Sequence, residues 1–575
     1  MTIAPLVQRV SARPDVQVTL PNGAVYSAAR GTPISAFFES AGVAEVPKQG
    51  VLTAALIDND LRELNFEVTS DCSAQPIYLS DSDGGRIYRR SLVFVLVAAA
   101  AQCFPNVKIA VENSLTVGGF YCRVANRNPL TLDELAQLKT VMSEIINANE
   151  PILRREVKLS QAIEEFTRRD ADDKLRLLEY RDKDYLTLYR LRGVYDYFYG
   201  YMLPSTRSLK LFDIQPTHGG DGFLLRYPRP ETPEHLLDVG EIPQIERVFQ
   251  ETDEWLRIMG LEDMGHLNRA IQHDRLREII LIAEALHSRR IAEIAAEIAE
   301  RYLLGTRLVL IAGPSSAGKT TFSKRLAVQL MAHGLRPYTL AMDNYFVDRD
   351  ATPRDENGEY DFEALEALNR TRLGADLIQL MNRETVQLPL FDFRAGHSKP
   401  GDVVQLRENS VIIAEGIHGL NPGLVPQIGS DRVYRIYVSA LTALNMDRHN
   451  RIPTTDVRLL RRMVRDYSHR GYSASETLNR WESVRRGEKR NIFPHQDNAD
   501  AMFNSSLPYE LAVLRPFAEP LLRQIDRDSP RYAEAKRLLA FLGWVRPVTP
   551  EGVPGESLLR EFVGGSTFEH YTPGV

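Results

Sequence analysis

Residues 313–321 read GPSSAGKTT: Gly313-Pro314-Ser315-Ser316-Ala317-Gly318-Lys319-Thr320-Thr321. The stretch fits the pattern G-x-x-x-x-G-K-[ST], which carries chemistry only where a strand precedes it and a helix follows. Both flanks are present. Leu308 to Ala312 is a continuous apolar run of the kind a buried parallel strand shows, and Phe322 to Leu330 has apolar residues at helical spacing. Gly313 and Gly318 permit torsions that turn successive N–H groups inward, and the helix N-terminus adds partial positive charge. Ser315, Ser316, Ala317, Gly318, Lys319, Thr320 and Thr321 thereby make a cradle for the phosphates of a nucleoside triphosphate. Lys319 can reach the β- and γ-phosphates, and the Thr320 hydroxyl suits Mg²⁺. ATP and Mg²⁺ are the expected cofactors.

A phosphate loop does not distinguish a switch, a motor and a kinase, so the surrounding acids and arginines have to decide. The strand Tyr338 to Met342 ends in Asp343-Asn344, and ligands of an open parallel sheet sit at the carboxyl ends of its strands. Asp343 is there either a base that accepts a hydroxyl proton or a turn residue. The strand Ser410 to Ala414 ends in Glu415, placed to organise Mg²⁺ together with Thr320. In the run Val457 to Arg465, arginines at 458, 461, 462 and 465 share one helix face, and Arg470 follows. Such like charges repel unless an anion faces them, so the face is expected to close over phosphate. The basic run Arg485 to Arg490 is expected on a surface arm.

Working outward, 575 residues exceed one core, and three or four domains are expected. A 43% hydrophobic and 25% charged composition is that of a soluble globular protein, and a net charge of -6 gives no global drive toward nucleic acid or membrane. Cys72, Cys103 and Cys122 lack C-x-x-C spacing, so neither a disulfide framework nor a zinc site is expected, and a reducing compartment fits best. The N-terminus has no sustained apolar region, and the apolar run Leu92 to Ala101 is too short to span a bilayer. The expected location is cytoplasmic. Alternation and turn signals place a small α+β domain at 15–75. A second α+β region runs over 80–235, with a helix around Arg90 to Cys103, strands through Val117 to Val124 and a long charged helix region from Thr131 to Asp170. Helices fill 236–300, a doubly wound parallel α/β domain spans 301–520, and 521–575 is a helix with a Pro/Gly-rich tail.

Six motifs in order, GPSSAGKTT, MDNYF, YDFEALEAL, LPLFDFRAGHS, IIAEGIHGL and RLLRRMVRDYSHRG, make this half resemble the uridine kinase and phosphoribulokinase family of P-loop kinases. The resemblance implies transfer of the ATP γ-phosphoryl group to a hydroxyl, in uridine kinases the 5′-hydroxyl of a pyrimidine nucleoside. It makes Asp343 the catalytic base and puts Glu363 where an aspartate grips the ribose. It sets Phe391 and His397 in the base-contacting segment, and Arg462, Arg465 and Arg470 among the lid arginines, acting with Lys319. Phe391 replaces a tyrosine, Tyr472 stands for a substrate-side arginine, and the segment before His397 is one residue longer. These departures concentrate on the acceptor, so a sugar or sugar phosphate is the alternative to a nucleoside.

Val16 to about Leu64 resembles a TGS domain, and Arg89 to about Pro228 the second additional domain of threonyl-tRNA synthetases. There an H-x-x-x-H pair and a later C-x-x-x-H make a hydrolytic site; here the matching positions read Arg90, Phe94, Phe198 and Met202. None of them binds a metal or shuttles a proton as His and Cys do. The resemblance therefore implies a retained fold and a lost editing chemistry. The tail Ser557 to Ser566 resembles that of long bacterial nucleoside kinases with this domain order. A small-molecule acceptor, no membrane and a homo-oligomer are expected, with RNA as the partner of a rival reading in which the loop is a regulatory switch.

Overall fold

The computed structural model describes residues 13–573 other than 44–45, 116–117, 218–219, 239–242, 355–357, 359, 393–394 and 443. The chain forms two compact units. The first comprises Met1–Val239, Arg448–Asn450 and Ile525–Ala540, and the second Gly240–Asp447, Arg451–Gln524 and Phe541–Val575.

In the first unit a five-stranded sheet has the order Val25–Ala29, Asp15–Thr19, Cys72–Tyr78, Leu52–Ile57, Asp60–Arg62. The helix Ile34–Ser40 covers it, and Val16, Val18, Phe37 and Phe38 share its core. Alternation along Asp15–Thr19 buries Val16 and Val18 on one face, as a half-covered sheet requires. The helix Ser82–Cys103 follows, starting eight residues before the expected Arg90. Its run Leu92 to Ala100 is buried all round, because strands and a second helix, Leu132–Asn147, enclose it.

The long helix expected from Thr131 to Asp170 is broken. Thr131 and Glu134 form a capping box at its start, and the helix stops at Asn147. Asn149 then takes a left-handed φ of 51° just before Pro151, which continues as the strand Leu153–Lys158 and a second helix, Leu159–Arg168. The expected strand through Val117 to Val124 is Gly119–Val124, paired with Ile109–Leu115; Val117 lies outside the described residues.

The second unit carries the parallel sheet. Leu308–Ala312 is central, flanked by Ser410–Glu415 and Val433–Ser439, with Arg336–Ala341 and Ala501–Asn504 outermost. Every pairing is parallel. Val309 and Ile311 face a core made with Ile291, Ile294, Ile298, Phe322 and Leu326, whereas Leu308 and Leu310 face Leu373, Leu377 and Leu380. The sheet is thus buried on both faces, which is why its strands read as continuous apolar runs. Gly313 begins the phosphate loop at the carboxyl end of Leu308–Ala312, the edge of an open parallel sheet at which ligands bind. Among the described residues no helix is long and apolar enough to cross a membrane.

A histidine inside this core has a consequence for stability. His287, on the helix Leu276–Leu303, sits between Trp255 and Phe503 at ring-centroid distances of 5.9 and 5.0 Å. Burial pushes its pKa down to about 3, with Arg325 and Arg461 adding repulsion against the opposing pull of the Ser506 and Asn504 backbone. The folded form keeps the ring neutral while the unfolded chain takes up a proton near pH ~6.5. The neutral ring's contribution is therefore complete above pH ~6.5 and falls by about 1.4 kcal/mol per pH unit below it, until the folded pKa is reached. His287→Phe keeps the aromatic packing and removes the proton. Thermal melts from pH 7.5 to 5 are expected to show the wild type losing ~2 kcal/mol more than this variant.

Candidate active site

The phosphate loop is held by close backbone approach. A Cβ on Gly313 would come within 2.0 Å of the Val438 carbonyl oxygen, so only glycine lets the loop leave the sheet there. Gly318, at a φ of 84°, caps the helix Lys319–Ala332. Lys319 Nζ donates to the Gly313 and Pro314 carbonyls at 2.9 and 3.2 Å, which lays the ammonium across the loop. The Thr320 hydroxyl donates to Glu415 Oε1 at 3.0 Å. A hydroxyl and a carboxylate, both hard oxygen donors, therefore converge at the helix start, and the pair fits Mg²⁺.

Three carboxylates share the field of Lys319. Asp343 lies in the turn Met342–Tyr345 at the end of Arg336–Ala341; surrounding protein mass raises its pKa while Lys319 and Arg470 pull it back. Glu363 is pushed to about 7 by burial and by Glu488, against the pull of Arg462 and Lys319. Glu415 also stands near 7, raised by burial and lowered by Lys319, with Glu561 and Asp343 opposing. Asp343, Glu363, Glu415, Lys319, Arg462 and Arg470 are thus electrostatic neighbours around one loop.

The arginine helix differs from expectation. The helix is Thr454–Arg470, but Arg458 and Arg461 are buried and already paired. Arg458 clasps Glu488 through both terminal nitrogens at 2.5 and 2.8 Å, and Arg461 Nε donates to Glu510 at 2.6 Å. Their face turns into the protein, where carboxylates rather than phosphate offset the repulsion. Arg462 donates to the Ser315 hydroxyl at 2.8 Å and to Asp466 at 3.1 Å; Arg465 and Arg470 also pair with Asp466, at 3.0 and 3.5 Å. The run Arg485 to Arg490 is no surface arm. It ends the helix Ala474–Asn491, and its Glu488 is buried and accepts from the Ser315 N–H at 2.9 Å.

On the acceptor side Phe391 is buried on the strand Val386–Asp392, with its ring 5.7 Å from Phe346. Phe346 is 6.2 Å from Phe362, the neighbour of Glu363, so these aromatic rings form a chain beside the carboxylates. Sequence reasoning missed Phe346 and Phe362, although both stand inside the quoted motifs. His397 is exposed at the start of the hairpin strand His397–Val404, opposite Asp392, and no described contact joins it to Asp343 or Glu363. Phe393 and Arg394 lie outside the described residues. Tyr472 lies beneath the Arg480 guanidinium at 4.2 Å. The turn after Asp343 also lines a cleft of about 380 Å³, with Asn344, Asp348, Arg372, Gln387 and Lys399 on its walls and Asp343 not among them.

Residues 308–511 match the phosphoribulokinase / uridine kinase family. The uridine kinase of Staphylococcus aureus strain JH9 is 29% identical over 179 residues, which are 31% of this chain and 77% of that one. The N-terminal region is similar to the threonine–tRNA ligase of Symbiobacterium thermophilum, 29% identical over 205 residues, or 36% of this chain. The match spans about a third of the ligase, 31% of its length. A solved structure of a "possible uridine kinase from Bacillus stearothermophilus" is 17% identical with a TM-score of 0.25, covering 38% of this chain and 98% of that one. The phosphoribulokinase / uridine kinase match includes the phosphate loop, Asp343, Glu363, Glu415 and the arginine helix. This segment has the P-loop kinase fold.

In the first unit, three of the four positions compared above with a hydrolytic site, Phe94, Phe198 and Met202, share one apolar cluster, and Arg90 lies on the same helix as Phe94. Arg90 donates to the Tyr201 carbonyl at 2.6 Å, and the Phe94 and Phe198 rings are 5.3 Å apart. Met202 is buried in the same apolar cluster. Among the described residues no group of three or more His, Cys, Asp or Glu could hold a metal ion. His449, contributed to this unit from far along the chain, lies 6.4 Å from the Phe198 ring. It bonds Asp196 at 2.6 Å, and the buried Lys174 holds the same carboxylate at 3.0 Å. No periodicity in the sequence announces that addition.

Proposed function

We propose that the protein transfers the γ-phosphoryl group of ATP to a hydroxyl of a nucleoside, a uridine-like 5′-hydroxyl. The observation that carries this reading is the gathering of Asp343, Glu363 and Lys319 at one phosphate loop. The loop amides and Lys319 bind the phosphate chain, and Asp343 takes the proton of the attacking hydroxyl. Glu363 accepts from ribose hydroxyls, and the rings of Phe346, Phe362 and Phe391 offer apolar surface to a base. Arg462 and Arg470 stabilise charge on the transferring group. Mg²⁺, held by Thr320 and Glu415 when bound, neutralises phosphate charge and orients the chain.

The test is ADP release from Mg-ATP against nucleosides, ribose sugars and sugar phosphates. Stimulation by one nucleoside supports the reading and names the acceptor. Stimulation by a sugar phosphate alone moves the protein to phosphoribulokinase-like chemistry. Likeness to threonine–tRNA ligases over 36% of the chain favours a second reading, in which the first unit binds RNA and the kinase unit serves as its switch. Silence across the panel together with a salt-sensitive RNA shift would select it.

Glu363 supplies a pH dependence. Its carboxylate forms as pH rises through about 7, and only the charged form accepts two hydroxyl protons at full strength. The acceptor kcat/KM is therefore expected to climb through pH 7 and then flatten. Glu363→Gln removes its share of that limb, leaving the part that Glu415 contributes, and lowers the pH 8 value by roughly 10- to 100-fold. An unchanged profile in the variant would exclude Glu363 from acceptor binding.

A further inference from the structure

The segment 555–571 folds against the phosphate loop. Arg560 knits it together by donating to the Pro550, Val553 and Gly564 carbonyls. Leu558 and Phe562 are fully buried. Leu558 joins the core of Ala317 and Phe322, and its Cδ2 lies 2.9 Å from where a Cβ on Gly318 would stand. The Phe562 ring is 5.2 Å from the Arg461 guanidinium, and Lys324 Nζ donates to the Phe568 carbonyl at 2.6 Å. Held between these anchors, the Glu561 carboxylate sits on the first turn of the phosphate-loop helix. Its Oε2 accepts from the Thr321 N–H at 3.2 Å and from the Thr321 hydroxyl at 2.9 Å.

Those first-turn donors are the ones a phosphate chain needs, because the loop and the helix start together cradle it. A carboxylate on Thr321 offers the same charge and the same acceptor oxygens as a phosphate. Two anions cannot share one pair of donors without strong repulsion. We propose that Glu561 is a built-in competitor: the C-terminal strap holds its carboxylate in the phosphate cradle, and a nucleotide binds only by displacing it. The proposal rests on the reading of residues 313–321 as a nucleotide site. It sets a threshold on nucleotide binding, since apparent affinity equals the intrinsic affinity multiplied by the fraction of molecules with the carboxylate withdrawn. The rival account makes Glu561 a plain helix cap. The two differ in sign, because removing a competitor tightens nucleotide binding whereas removing a cap loosens the loop.

Glu561→Gln keeps the shape of the side chain and removes its charge; Glu561→Ala removes the acceptor oxygens as well. The full chain and both variants are titrated with Mg-ATP and Mg-ADP by calorimetry, with Lys319→Ala as control and nucleotide-free melting curves to confirm folding. With the strap closed in about nine molecules of ten, both variants bind both nucleotides about tenfold more tightly than wild type. Equal or weaker binding by Glu561→Gln overturns the competitor and leaves a cap. If Lys319→Ala binds as tightly as wild type, or if no protein binds, the nucleotide reading itself fails and the competitor falls with it.

Discussion

Asp343→Asn lowers phosphoryl-transfer turnover by about 10²-fold or more, while Mg-ATP affinity stays within about twofold. The amide has the size of the carboxylate but cannot accept a proton, so only the base is lost. Position and charge single out this acid. It ends the outer strand Arg336–Ala341 at the same sheet edge as Gly313 and Glu415, and Lys319 and Arg470 are the cations that act on it. Surrounding protein raises its pKa, which strengthens it as a base without removing its charge above that value. The measurement is ADP release with the acceptor identified by the panel, beside calorimetric titration of Mg-ATP. Turnover equal to wild type would make Asp343 a turn residue.

Arg461→Met destabilises the kinase unit by about 3–5 kcal/mol, because it leaves the Glu510 carboxylate buried without its cation. Both side chains are almost wholly excluded from solvent, at 0% and 2% exposure. Arg461 also donates to the Ser505 carbonyl at 2.9 Å, so a second buried acceptor loses its donor. Glu510 keeps bonds from the Ser506 hydroxyl and the Leu507 N–H, which are too weak to hold an ion there. The transition of this unit in a thermal melt is expected to fall by on the order of 10 °C. Replacing both partners, Arg461→Met with Glu510→Leu, recovers most of the loss, since the desolvated charge disappears with its partner. Arg465→Met serves as the contrast. Its partner Asp466 retains Arg462 and Arg470, and the expected cost is under ~1 kcal/mol. A double variant as unstable as the single one would locate the cost elsewhere.

Much of the kinase unit was legible because its signals are local. Strand, glycine-rich turn and helix follow one another over Leu308 to Leu330, and a strand buried on both faces has to be apolar throughout. Asp343 and Glu415 could be found for the same reason, each standing where an apolar run stops. What failed was pairing at long range. Arg458 and Arg462 look alike in the sequence, and only the placement of Glu488 makes the first a buried strut while the second stays partly exposed and bonds the Ser315 hydroxyl. An acid inside a basic run carries no sign that it will turn inward. The helix from Thr131 was overextended because charged residues suit a helix and an exposed strand alike; the break at Asn149 and Pro151 was the readable clue. Glu561 had no signal at all, since its partner lies 240 residues away.

The braces of the phosphate loop set an order in time. Arg458 reaches the Ser315 carbonyl across 143 residues of sequence, and Glu488 reaches the Ser315 N–H across 173. During synthesis the nine-residue motif is therefore complete long before the side chains that fix its backbone exist. At ~5–20 residues per second, the gap lasts on the order of ten seconds or more. A growing chain carries the letters of a nucleotide site without the site, and ligand can reward only a chain translated past Glu488.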